Sequence, residues 1–337
     1  MRLRSEPMPV KYWSSAGLML TWWCNARCAS CYLACSPAGV PTIDVPRMFD
    51  IWSQLVEFSP HGCRVHLTGG EPFGDWPGLL ELARRARSAG VGPLQKVETN
   101  AFWATDEDVV RRRVSALDEA GMEKLSISAD PYHQQFVPIA RVRRAADVAG
   151  ELLGPSRVQV RWEDWLADGV DTAEMPSARR DALFARYAIA GRDRLNGRAA
   201  ERLAALSQRK PWTDFADSGC RETLLRGKQV HVGPDGTILP GTCAGITLGR
   251  ADGPDGIARA WTALNDDHAD RPIVGVLAEQ GPAGLARVAM DAGFVPESAG
   301  YAGKCHLCWE VRRFLAERGA HEDELGPRRI YADARLV

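Results

Sequence analysis

The chain has 337 residues and nine cysteines, with 45% hydrophobic and 25% charged residues. That balance belongs to a globular protein with one large and one smaller domain, or two ordinary ones. A formal net charge of −1 gives no bulk attraction to nucleic acid or anionic membrane, so neither is expected as a partner. No apolar run approaches the roughly 20 residues that span a bilayer.

Arg2 and Arg4 ahead of the apolar run 17–23 imitate a signal peptide, but Trp22 and Trp23 stand where cleavage needs small residues. The run reads as a buried first strand, and the protein as cytoplasmic. An odd number of thiols in a reducing compartment argues for metal ligands rather than a disulfide framework. A helix over 44–58 follows, with Asp44 as N-cap, Pro46 in the first turn, and Val45, Met48, Trp52 and Leu55 on one face. A strand is expected at 64–68. Asp75 caps a second helix that Gly90 stops, and 96–100 is a third strand. Thr105 opens a third helix in a capping-box pattern with Asp108, and Gly121 ends it. A strand at 124–129, a helix at 139–153 and a strand at 158–162 complete the alternation.

Strands alternating with helices of this length predict a parallel sheet with right-handed crossovers, whose chemistry gathers at the carboxyl ends of the strands. Beyond residue 170 the pattern changes. Residues 177–210 read as one long helix with Leu195, Ala199, Leu203 and Leu206 on a stripe and its arginines on a solvated face. Residues 229–239 read as a hairpin about Pro234-Asp235-Gly236. Residues 305–317 read as a loop entering a final helix, with His306 at the surface.

Cys24, Cys28 and Cys31 form C-x3-C-x2-C directly after the first strand. Three thiolates on one loop suit a cubane iron–sulfur cluster with one iron left open; structural zinc wants four ligands, and spacing alone leaves both metals possible. Thr68-Gly69-Gly70-Glu71-Pro72 ends the second strand. Its glycines let backbone approach a ligand closely, and Glu71 offers a carboxylate to a cation.

With these two motifs in place, residues 15–165 resemble the radical S-adenosylmethionine (SAM) superfamily. The resemblance implies an α/β fold: a partial (β/α)6 TIM-like barrel over 1–210 and a C-terminal α+β twitch (shortened SPASM) domain over 211–337. Cys24, Cys28 and Cys31 would then ligate a 4Fe–4S cluster, and Gly69, Gly70, Glu71 and Pro72 would hold the methionyl ammonium of SAM. Thr99 and Asn100 match a Thr-Asn-Gly strand end, with Ala101 in place of the glycine. Ser128 and Asp130 match a Ser-x-Asp that meets ribose or substrate, and Arg161 is placed for the SAM carboxylate. Ser30 occupies the usual aromatic position, leaving Tyr32 or Trp23 to cover adenine.

Cys220, Cys243, Cys305 and Cys308 resemble the ligand set of a twitch domain, which implies one auxiliary 4Fe–4S cluster that accepts an electron; on residues alone, zinc stays open. The implied activity is reductive cleavage of SAM to a 5′-deoxyadenosyl radical, fed by an electron donor such as a flavodoxin or ferredoxin. A substrate hydrogen is then abstracted, with oxidation or epimerisation of an alcohol- or amine-bearing carbon in a carbohydrate- or aminocyclitol-like small molecule. Modification of a ribosomally made peptide is the alternative, disfavoured by the short stretch before the first strand. A non-enzymatic iron–sulfur or zinc scaffold would have no need of the Gly-Gly-Glu-Pro motif. Cys35 is a candidate hydrogen-atom donor and His133 a candidate base. Glu98 and Glu163 are expected to point into the barrel from strands three and five, and Cys63 belongs to the core.

Overall fold

The computed structural model describes residues 10–190 and 194–335; Arg2 and Arg4 lie outside the described residues. In chain order the elements are β1 (Ser15–Met19), α1 (Val45–Phe58), β2 (Arg64–Thr68), α2 (Trp76–Ser88), β3 (Leu94–Thr99), α3 (Glu107–Glu119), β4 (Leu125–Ile127), α4 (Ile139–Leu153) and β5 (Val158–Val160). Then come α5 (Glu163–Asp168), α6 (Ser177–Ile189), α7 (Arg198–Leu203), α8 (Arg221–Leu224), β6 (Gln229–Val232), β7 (Thr237–Pro240), β8 (Gly249–Arg250), α9 (Gly256–Asp267), α10 (Val274–Asp291), α11 (Lys304–Glu317) and α12 (Arg328–Asp333).

All eight strands join one sheet in the order β5-β4-β3-β2-β1-β6-β7-β8. β1 to β5 pair in parallel, β6 pairs in parallel with β1, and β7 and β8 continue antiparallel. β1 therefore lies centrally, and its Ala16, Leu18 and Met19 are fully buried, as expected of a parallel strand covered on both faces. Gln159 of β5 and Gln229 of β6 line one cavity, although a flat sheet would hold those strands about 24 Å apart. The sheet thus curls into an open barrel whose lumen is that cavity. The division at residue 210 falls within this sheet, because β1 and β6 come from opposite sides of it.

The helical caps follow their local chemistry. Asp44 accepts the Arg47 N–H and Asp75 accepts the Gly78 N–H, each satisfying a donor that the first turn leaves unpaired. At α3 the cap is Asp106, which accepts from Val109 N, in place of the expected Thr105; the helix starts one residue later, and the carboxylate caps the N–H three residues on. The first strand ends at Met19. Residues beyond it stay beside the β2 terminus, with Leu20 N–H donating to Thr68 O and Glu71 N–H to Trp23 O.

The long helix expected over 177–210 is two helices, α6 and α7. Gly197 takes φ 59°, a left-handed conformation that no helix continues through. The cysteines of 305–317 lie inside α11, which already begins at Lys304 and is followed by α12. His306 is buried rather than superficial: its Nδ1 accepts the Ala302 N–H, and its ring packs edge-on against Tyr301. Among the described residues no helix is long and apolar enough to cross a membrane.

Candidate functional site

The loop after β1 returns on itself through turns. Cys24 N–H donates to Ser36 O, Cys31 N–H to Cys28 O and Ala34 N–H to Cys31 O. Cys24, Cys28, Cys31 and Cys35 line one cavity of about 730 Å³ together with Gly69, Gly70, Glu71, Pro72, Thr99, Asn100, Ser128 and Arg161. The C-x3-C-x2-C loop and the Gly-Gly-Glu-Pro strand end, separate in sequence, are thus two walls of one chamber. Burial and the neighbouring Cys28 and Glu71 push the Cys24 thiol above its ordinary range. A hydrogen bond from Cys35, backed by the Arg198 guanidinium against the cost of burial, lowers Cys31. Cys31 is therefore the thiolate of that pair, and its partner Cys35 is held neutral by the same bond and by burial. Cys35 is buried beside the three-cysteine loop, its thiol engaged with Cys31.

The strand end is built for close approach. A Cβ on Gly70 would stand 1.7 Å from the Trp23 carbonyl oxygen, so only glycine lets the two loops touch. Glu71, 1% exposed, accepts from Phe73 N–H and the Thr99 hydroxyl at Oε1 and from Asn100 N–H at Oε2. It clasps the end of β3 to the end of β2. Burial outweighs these bonds and raises its pKa to about 7. Asn100 also donates from Nδ2 to Asn25 Oδ1, and its Nδ2 lies 3.6 Å from Cys24 Sγ, so one side chain joins the cysteine loop to the third strand. Pro72 opens the short 3-10 turn that follows. Tyr32 lines the chamber from the cysteine loop.

The other candidates divide. Glu98 lines both the chamber and the adjoining lumen, accepting from the Thr68 hydroxyl at 2.7 Å and pairing with Lys96 at 2.6 Å. Although burial opposes it, His66 and Lys96 keep its carboxyl well below the usual range. Ser128 and Arg161 also face both cavities. Asp130 is fully buried and turned into its own loop, accepting from Tyr132 N–H, His133 N–H and His133 Nδ1. His133 is held by Asp130 at 2.7 Å and bonded to Cys28. Burial opposes its charge, but Asp130 lifts the imidazole well above its ordinary pKa. Glu163 does not enter the barrel: β5 ends at Val160, Trp162 buries itself against Tyr187, and Glu163 is an exposed first-turn residue of α5, where the helix dipole favours an acid.

Cys220, Cys243, Cys305 and Cys308 line a second cavity of about 420 Å³ with Arg194, Lys304 and Arg312 around them. Cys305 and Cys308 sit in the first two turns of α11, and burial pushes the Cys305 thiol above its ordinary range. The Arg312 Nε donates to Cys308 Sγ at 3.2 Å. Burial and the neighbouring cysteines push Cys220 to about 12 and Cys243 to about 11; thiols so raised need a cationic core to ionise. Among the described residues, no three Cys, His, Asp or Glu side chains are gathered so as to hold a single ion. The four thiols line this one cavity.

Two features escaped sequence reasoning. Arg198, assigned with its neighbours to a solvated face, is 2% exposed and donates to the carbonyls of Cys28, Ala34 and Cys35. Two residues before it, Asn196 donates to the carbonyls of Thr242 and Ala244 and accepts from Arg312, so Asn196 and Arg198 together tie the two cysteine sets to one segment. The lumen is the second: His66, Lys96, Ser126, Gln159, Gln229 and His231 line about 1210 Å³. The period-2 alternation of polar residues in these strands was its only sequence signal.

No family model matches the chain. A curated relative, provisionally named the peptide biosynthesis protein YydG of Bacillus subtilis (strain 168), is 26% identical over 125 residues, 36% of this chain and 37% of that protein. The matched segment thus spans little more than a third of that relative's length. Among solved structures, BtrN in complex with AdoMet and 2-DOIA is 15% identical with a TM-score of 0.47, over 81% of this chain and 90% of BtrN. AnSMEcpe with bound AdoMet and Cp18Cys peptide is 14% identical with a TM-score of 0.44, over 90% of this chain and 97% of that one. The fold sets the C-x3-C-x2-C loop and the Gly-Gly-Glu-Pro strand end into one chamber at the carboxyl edge of a parallel sheet, the arrangement that the resemblance to the radical SAM superfamily leads one to expect.

Proposed function

We propose that this protein is a radical SAM oxidoreductase or epimerase acting on an alcohol- or amine-bearing carbon of a small, hydroxyl-rich molecule. The observation that carries this reading is the lumen: a polar, curled-sheet cavity that shares Ser30, Tyr32, Glu98, Ser128 and Arg161 with the chamber of the three cysteines. When bound, a 4Fe–4S cluster and SAM supply a carbon radical that removes a substrate hydrogen. Cys24, Cys28 and Cys31 would hold the cluster, and Glu71, once ionised, would pair with the methionyl ammonium. Arg161 is suited to the SAM carboxylate, and Tyr32 to the adenine face. The lumen side chains orient the substrate and the curled sheet screens it from water. Cys220, Cys243, Cys305 and Cys308 would hold an auxiliary cluster whose four thiolates leave no open iron, so its use is to accept an electron.

A peptide substrate is the second reading, supported by the match to a peptide biosynthesis protein over 125 residues. Anaerobic reconstitution with reductant and SAM tests the first reading: about eight irons per chain and 5′-deoxyadenosine are expected. About four irons with bound zinc, or no SAM cleavage, would sink it. Deuterium uptake into product from heavy water would separate epimerisation from oxidation.

A further inference from the structure

His231 of β6, Gly17 of β1 and His66 of β2 are neighbours in one row across the sheet. Gly17 has no side chain to separate the two imidazoles, and they lean in over it. A Cβ built there would stand 2.6 Å from His231 Nε2 and 2.6 Å from His66 Nε2. His231 Cδ2 would stand closer still, at 2.2 Å, so only glycine at position 17 lets the two rings, with both Nε2 atoms, crowd over the same point of the sheet. The rings meet edge to face at 5.4 Å, both residues are at most 3% exposed, and both line the lumen.

Their hydrogen bonds assign opposite roles to the two Nε2 nitrogens. His231 Nδ1 lies 2.7 Å from the Gly241 carbonyl oxygen. A carbonyl only accepts, so Nδ1 carries the proton and Nε2 presents a lone pair. His66 Nδ1 is buried with no partner. An orphaned buried N–H costs more than an unfilled lone pair, so the proton of His66 sits on Nε2. Burial lowers the pKa of both rings, consistent with two neutral imidazoles. The nearby charges, Lys96 and Glu98, neutralise each other in a 2.6 Å pair.

We infer that His66 and His231 form a clamp for one hydroxyl group, His66 Nε2–H donating to its oxygen and His231 Nε2 accepting its proton. Only a group that donates and accepts at one atom satisfies both. A carbonyl gives nothing to His231, and an ammonium accepts nothing from His66. Resting on the proposed function, the clamp specifies a hydroxyl-bearing substrate and places a proton acceptor beside that oxygen.

The test is side-chain nitrogen NMR of the cluster-loaded full chain labelled with ¹⁵N-histidine. His231 should show the Nδ1–H tautomer and His66 the Nε2–H tautomer at neutral pH. The same tautomer at both, or an imidazolium at either, overturns the clamp. Glycerol is the hydroxyl probe: its addition should shift both sets of resonances in the wild type, and the shift should be lost in Gly17→Ala, whose methyl would displace both rings. His231→Phe, which keeps a ring but no lone pair, serves if Gly17→Ala does not fold. No glycerol response, or an equal response to methylammonium, also overturns it. Absence of SAM cleavage with the expected tautomers and glycerol response intact would sink the radical reading and leave the hydroxyl clamp standing.

Discussion

Glu71 shows how one side chain serves the fold and the chemistry in different protonation states. Its pKa, raised by burial from the usual glutamate value of 4.5 to about 7, means that the folded chain binds that proton more tightly than the unfolded chain does. The resulting stability is full below about pH 4.5 and is lost as pH rises through 7. Without SAM, the wild type should lose on the order of 3 kcal/mol relative to Glu71→Gln between pH 4.5 and 8, measured by urea unfolding at each pH; parallel pH profiles would remove the argument. Two residues beyond the Glu71-clasped strand end, Ala101 is buried at φ 63°. The sequence showed only that alanine replaces the glycine of the resembling pattern; the structure shows that the backbone keeps a conformation suited to glycine. Ala101→Gly should be neutral to within about 1 kcal/mol, since relieved strain offsets the lost methyl. Ala101→Val should cost about 3 kcal/mol, because a β-branched residue resists that φ and the site is full. Thermal unfolding of the two variants distinguishes them.

At the scale of elements, the helices and their capping carboxylates were legible because capping and amphipathic periodicity are local: Asp44 and Asp75 cap as expected. The break between α6 and α7 was not, because its cause is tertiary. Asn196 and Arg198 hold the chain against two cysteine loops far away in sequence, and an arginine run looks the same whether one member is buried or none. Arg198→Met leaves the carbonyls of Ala34 and Cys35 without their buried donor. It should cost about 3 kcal/mol in chemical denaturation and should make iron at the first cysteine set the first to be lost under chelator. Equal loss from both sets would show that Arg198 supports the fold without supporting that loop.

For the whole molecule, the decisive contact is β1 with β6, in parallel from Ser15↔Gln229 to Leu18↔Val232. It joins the two halves into one sheet. A chain cut after residue 210 would expose one edge of its buried central strand, and is expected to lack a cooperative thermal transition by circular dichroism and to bind a hydrophobic dye. A sharp transition would show that the first half folds without β6. The sequence by itself determined the alternation of strands and helices, the C-x3-C-x2-C loop and the Gly-Gly-Glu-Pro strand end, because periodicity, capping and close spacing are properties of neighbours along the chain. Only the tertiary structure decided that β6 closes on β1, that Arg198 is buried, that Glu163 lies outside the barrel, and that His66 and His231 meet over Gly17. Each of these depends on which distant residues share a layer of the sheet, and that follows from lateral strand pairing and register, which local sequence does not encode.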